Sequence, residues 1–316
     1  MQAVNKIQLI HNSLLLLLFF GVASCKKEAP LQPDEKDENR LEVKDNPSDP
    51  VDHAIYQFYQ TTGVPVFYND TIERIHVGDT SGIPVYSYRR LATNYSPFGI
   101  QPGLSYKLIP EKEQALPLLP LLREEVLSRV PTNMQVYSIL IVKSLTLRGI
   151  SNADNSGFSG VSNKPHNAFN TILIPAVNPD TMTAAGKKTY AASVLAKLAS
   201  KRLLREHLQQ IQTEFYSLTK NVAPGKRIYG DLWSALSPGV PVIFEEYGFI
   251  RASYSLIMYG RKSMPMMQDD LLTYLEAALT YETIEAFDAD YASYPVVRNK
   301  FRAARTLLRS IGFQIL

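Results

Sequence analysis

The sequence predicts an α+β domain. Two apolar runs, residues 136 to 145 and 171 to 177, read as strands of one central, partly buried sheet, and residues 184 to 215 carry the strongest helical periodicity in the chain. Two further helical stretches, 267 to 286 and 296 to 310, close it.

The first segment is a leader. Lys6 supplies a positive start, Leu14 to Phe20 an apolar run, and Val22-Ala23-Ser24-Cys25 a small-residue exit, with Cys25 the only cysteine among 316 residues. This resembles a bacterial lipoprotein signal with its lipobox. The run is short for a membrane span and lacks a basic stop, so residues 1–24 read as a removed signal peptide rather than an uncleaved anchor. The resemblance makes Cys25 the lipid attachment site of the mature chain. With each buried methylene contributing about 0.8 kcal/mol, several acyl chains form a lasting anchor. The expected location is the outer membrane, lipid-anchored, facing either the periplasm or the surface. Residues 25–50 carry eight acids, five bases and four prolines without an aromatic residue, and read as a disordered tether. Lys26-Lys27-Glu28 loosely resembles the surface-export signals of Bacteroidetes lipoproteins.

Residues 51–316 read as the folded domain. Ile55, Phe58 and Tyr59 fit a short helix ending at Gly63, and Val64 to Tyr68 a strand that Asn69-Asp70 turns away. Residues 71 to 110 are short apolar stretches broken by Gly, Pro, Ser and Asn, where strands are expected without a readable register. Residues 111 to 129 have helical spacing, but Pro117 and Pro120 predict a bend or a split. Residues 149 to 170, rich in Ser, Asn and Gly, read as a surface loop, and Asn178-Pro179-Asp180-Thr181 as a turn. On the long helix Tyr190, Val194, Leu195, Leu198, Leu204, Leu208, Ile211 and Phe215 form the apolar face, while Lys197, Lys201, Arg202, Arg205, Gln209 and Gln212 form a solvated one. Gly312 ends the last helix.

Composition excludes several functions. With one cysteine the chain has no intramolecular disulfide, no cysteine-ligated metal and, once lipidated, no cysteine catalysis. Lys and Arg total 33 against 30 acids, with no long basic block, so no nucleic-acid partner is expected. The 18 tyrosines read chiefly as core-margin side chains.

The order of elements, with Tyr59-Gln60-Thr61-Thr62-Gly63-Val64-Pro65-Val66, the strands at Ile139 and Ile172, Thr213-Glu214-Phe215 and Gly248-Phe249-Ile250-Arg251-Ala252-Ser253-Tyr254, resembles the zinc-binding metallopeptidase lipoproteins of Bacteroidetes. The resemblance spans most of residues 52 to 316. It implies a zincin-like fold, with a small mixed sheet, a long central helix and C-terminal helices, found beside outer-membrane nutrient-import systems. The family's His-Glu-x-x-His helix holds zinc through two histidines one turn apart, and its glutamate activates a metal-bound water. Here that motif falls on Ser200-Lys201-Arg202-Leu203-Leu204, and no two of His11, His53, His76, His166 and His207 lie four apart. The reversed motif fails as well, because Glu206-His207 is preceded by Leu203 where a histidine is needed. A further family phrase, Glu-Asp-Phe-Ala-Glu-like, corresponds to Asp269-Asp270-Leu271-Leu272-Thr273. A cation would meet Lys201 and Arg202, so the expectation is no metal, no cofactor and no catalytic residue.

Other candidates carry less. Glu245 and Glu246 are adjacent and would point differently, Ser156-Gly157-Phe158-Ser159-Gly160 lacks the full nucleophile-elbow pattern, and Met258, Met264, Met266 and Met267 read as gap-filling core. The expected protein is therefore a non-catalytic, peptidase-like lipoprotein that binds an unidentified peptide or glycan as an accessory to nutrient import. The alternatives are a zinc hydrolase using His166, His207 and Asp270, or a structural subunit of an outer-membrane complex.

Overall fold

A computed structural model describes residues 41–93, 104–147, 161–162, 164–230, 243–251, 253–255 and 261–315. Residues 1–24, Cys25, Met258 and the 156–160 phrase lie outside them. Among the described residues no helix is long and apolar enough to cross a membrane.

The described residues begin at Leu41, inside the stretch read as tether. Leu41 and Val43 lie against buried clusters, and Asp49 pairs with Lys112 while its carboxylate accepts from the amides of Val51 and Asp52. That cap starts α1, Pro50–Thr62, with proline at its first position, where a missing N–H costs nothing. Val51, Ile55 and Phe58 face the core, and Gly63, at φ 69°, ends the helix by donating to Tyr59.

Among the described residues the main sheet has six strands, β1 (Val66–Phe67), β4 (Leu104–Leu108), β5 (Ile139–Leu147), β6 (Val161–Ser162), β7 (His166–Asn167) and β8 (Ile172–Pro175). β5 is its centre. It runs parallel to β1 and β8 through its first half and antiparallel to β4 and β6 through its second, which makes the sheet mixed. Ile139 and Ile141 point into the main helical core, while Leu140, Val142 and Leu145 join Leu91, Leu104 and Leu173 on the other side. A sheet buried on both faces needs apolar residues at consecutive positions, which explains the unbroken run 139–142. The expected strand at Val64 is shorter, only Val66–Phe67, and the expected loop 149–170 contains two short strands, β6 and β7.

Between β1 and β4 lies a hairpin of its own, β2 (Thr71–Thr80) and β3 (Ile83–Arg90), joined by Ser81 and Gly82 with φ of 54° and 78°. Two consecutive positive φ values suit the right-handed twist of the flanking strands. After β4 the prolines split the expected helix into a 3₁₀ turn (Lys112–Ala115), α2 (Leu118–Leu121), a π turn (Leu122–Val126) and a second 3₁₀ turn (Leu127–Arg129).

The long helix, α3, covers Ala184–Glu206, with Thr183 capping Gly186. It does not continue to residue 215. The next core position after Leu203 is the polar His207, whose backbone leaves the helical region. The chain resumes as α4 (Leu208–Gln210), widens into a π turn (Ile211–Tyr216) and finishes as α5 (Ser217–Lys220). The π turn lets the neighbours Phe215 and Tyr216 both reach the core. The stretch 267 to 286 likewise divides, into α6 (Met267–Thr280) and α7 (Ile284–Asp290), with Thr283 capping Ala286. α8 spans Pro295–Ser310. Ile228, Phe244, Phe249 and Met264 form a third cluster beside these helices; Met266 is exposed and Met267 half-buried, so only part of the methionine group is core.

Candidate functional site

The helix segment Ser200-Lys201-Arg202-Leu203-Leu204 serves as structural bracing. Ser200 donates to the carbonyl of Lys197, and the Lys201 ammonium donates to the carbonyls of Ala168 and Phe169 in the turn between β7 and β8. Arg202 donates to Glu206, to the carbonyl and side chain of Asn133, and to the carbonyl of Ile311. Leu203 is buried in the main core. The face expected to be solvated is therefore partly a strap: Lys197 and Arg202 are half-buried, and Lys201, though exposed, is pinned.

Asp270 is equally committed. Its carboxylate accepts from the Lys300 ammonium at 2.5 Å and from the Tyr229 hydroxyl at 2.8 Å. Lys300 also donates to Thr219 Oγ1 at 2.9 Å and to the Gly248 carbonyl at 2.8 Å, so all three of its N–H groups are used. The rings of Phe215, Tyr274 and Phe249 surround the ammonium at 4.6, 4.8 and 4.9 Å. Both charges are sealed from solvent. Burial raises the Asp270 carboxyl and lowers the Lys300 amine from their ordinary values, while the pairing holds each toward its charged form. His207 sits at the end of α3, its ring bonded to Gln210 at 3.2 Å. Glu245 and Glu246 share a 3₁₀ turn, Phe244–Tyr247. Among the described residues no three His, Cys, Asp or Glu side chains come together as a metal-holding group.

A different set of groups gathers at the seam between β7, α3 and α6. β7 is fixed to α3 by Asn167, which donates to the Lys197 carbonyl at 2.5 Å. Across the seam Lys164 reaches Glu276 on α6 at 3.3 Å, and Arg251 reaches the same carboxylate at 3.4 Å. Near these pairs, within reach of their charges, are His166, Lys197 and Asp269. Burial pushes the His166 imidazole down to about 4, helped by the charge of Lys197, so it is neutral near pH 7. Its Nδ1 is buried without a hydrogen-bond partner. Burial pushes the Asp269 carboxyl up to about 6 against the pull of Lys197 and Lys164, and Asp270 adds to the rise. Burial also lowers the Lys197 amine, which Asp269 and Glu276 pull back up. The ammonium of Lys197 and the carboxylate of Asp269 feel each other's charge, yet among the described residues neither makes a side-chain ion pair.

The seam thus holds partly desolvated groups of opposite charge beside a buried ring nitrogen that has no hydrogen-bond partner. Sequence reasoning singled out His166 and Asp269 separately and read Lys197 as surface. It missed Lys300, although that residue follows Val297 and precedes Ala304 on the apolar face of α8, where a lysine signals a buried counter-charge. No family model, curated protein or solved structure matches the chain.

Proposed function

We propose that the chain is an outer-membrane lipoprotein, anchored through Cys25, whose zincin-like domain binds a short peptide at the seam of His166, Lys197 and Asp269 without cleaving it, as an accessory to nutrient import. The observation that carries this reading is the place itself: a lysine and a carboxyl of opposite charge, Lys197 and Asp269, without a direct hydrogen bond between them, beside the unpartnered Nδ1 of His166. A peptide's terminal carboxylate complements Lys197, its terminal ammonium complements Asp269, and His166 Nδ1 offers a further polar contact. An uncharged glycan offers no charge to either group. Asp270 and His207 already have partners, which weighs against the reading as a zinc hydrolase.

Calorimetric titration of the full lipidated protein in detergent with tripeptides tests the proposal. Lys197→Met, which keeps the stem, is expected to weaken binding about tenfold or more, the loss of one charged hydrogen bond. Binding is also expected to weaken as pH falls through about 6, because Asp269 then takes up a proton and loses its charge. Unchanged affinity in the variant would remove the seam as the site. Stoichiometric zinc together with chelator-sensitive cleavage of casein would overturn the non-catalytic reading.

A further inference from the structure

The β2–β3 hairpin belongs to neither buried layer. It forms a separate two-stranded sheet, and from Glu73 to Tyr88 no side chain on either face is buried. A ribbon without a core face has no reason to carry apolar residues, yet Val77 is 59 % exposed, Ile83 69 %, Val85 40 % and Tyr88 55 %. Their arrangement is graded along the ribbon. Beside the Ser81-Gly82 turn are Ile83, Val85 and Val77, and between Val77 and Val85 the only charged residue is Asp79, which pairs with His76. Farther back Tyr86 carries the Arg74 guanidinium over its ring at 3.6 Å, and Tyr88 stands opposite Arg74. Behind them come Arg89, paired with Glu73, and Arg90.

An apolar tip, then tyrosines, then arginines is the order of environments met on leaving a bilayer: acyl chains, the interface, and the phosphate layer. The root of the ribbon agrees. Ile72 and Leu91 join the second cluster, and Leu41, the first described residue, joins it too. Extended, the stretch from Cys25 to Leu41 reaches up to about 55 Å, while the ten-residue β2 is about 33 Å long. A tether of that length is long enough for a lipid on Cys25 and the tip of the ribbon to share one membrane plane.

We propose that the β2–β3 ribbon is a membrane-docking arm, whose tip enters the boundary between headgroups and acyl chains of the bilayer that holds Cys25. This rests on the anchor reading of Cys25 and is independent of the peptide seam. It gives the domain a second point of contact, so the membrane fixes the domain's orientation as well as its distance.

The test places single cysteines at Ile83→Cys and, as an exposed control off the ribbon, Leu208→Cys in the full lipidated protein. Each is labelled with an environment-sensitive thiol dye and held in vesicles of phosphatidylethanolamine and phosphatidylglycerol. Neither site is buried, so neither substitution disturbs packing. Aqueous iodide is expected to quench the dye several-fold less at 83 than at 208, and a lipid-borne quencher to act in the opposite order. The parent chain reports on the anchor separately, because its only thiol is Cys25 and takes up dye only without lipid. Labelling of the parent would remove the anchor, and this proposal with it. An unlabelled parent with equal iodide quenching at both sites overturns the ribbon alone. Shielding at 83 that grows with protein density in the vesicles assigns the ribbon to a second copy and overturns it as well.

Discussion

Asp270→Ala is expected to destabilise the domain by about 3–5 kcal/mol, the cost of leaving a buried charge without its partner. Total stabilities of natural domains are about 5–15 kcal/mol, so this is a large share. In the variant the Lys300 ammonium, sealed from water, keeps Thr219 and the Gly248 carbonyl but loses its only counter-charge and a 2.5 Å bond. The aromatic rings around it temper the loss without matching it, since a cation over a ring contributes about 2 kcal/mol when desolvated. The discriminating partner is the double variant Asp270→Leu with Lys300→Met. Removing both charges abolishes the desolvation penalty along with the attraction, so its urea midpoint is expected to return most of the way to the parent's. A double variant as unstable as Asp270→Ala would show that packing, and not charge, sets the effect.

Gly248→Ala is the second large effect, about 2–5 kcal/mol from left-handed backbone strain and overpacking together. Gly248 has φ 78°, and a Cβ built there meets Val296 Cγ1 at 2.6 Å, Lys300 Cδ at 3.2 Å and Thr219 Oγ1 at 3.3 Å. The backbone cannot retreat without cost, because its carbonyl accepts from both Lys300 and Tyr274. Gly63→Ala supplies the comparison. Gly63 has a similar φ of 69°, but nothing lies within 4 Å of its added Cβ, so only the backbone cost, about 1–2 kcal/mol, remains. Equal losses of melting temperature in the two variants would show that the neighbours of Gly248 yield freely.

The strands at the centre of the sheet are legible in the sequence because both of their faces are covered. Ile139 to Val142 and Ile172 to Ile174 leave no polar position to interrupt the run. The long helix is legible as far as Leu203, where spacing and burial agree, and misread beyond it. A π turn changes the period that the pattern counts, so Phe215 still looks like the continuation of one helix. The β2–β3 hairpin is illegible for the opposite reason: with no buried face, no alternation separates an inside from an outside. At the seam the obstacle is distance along the chain. Lys197 looks like one more base on a charged helix until β7 is laid across it and Asp269 is brought opposite, and neither pairing leaves a trace in local composition.

The bond between Asp270 and Lys300 joins positions thirty residues apart, with the lysine on α8. A ribosome therefore delivers the carboxylate well before the amine that neutralises it. Until α8 arrives, the half-built interior has either to protonate that acid or to stay open to water. Resistance to proteases is then expected to appear in one step, once α8 has docked and Lys300 has met Asp270.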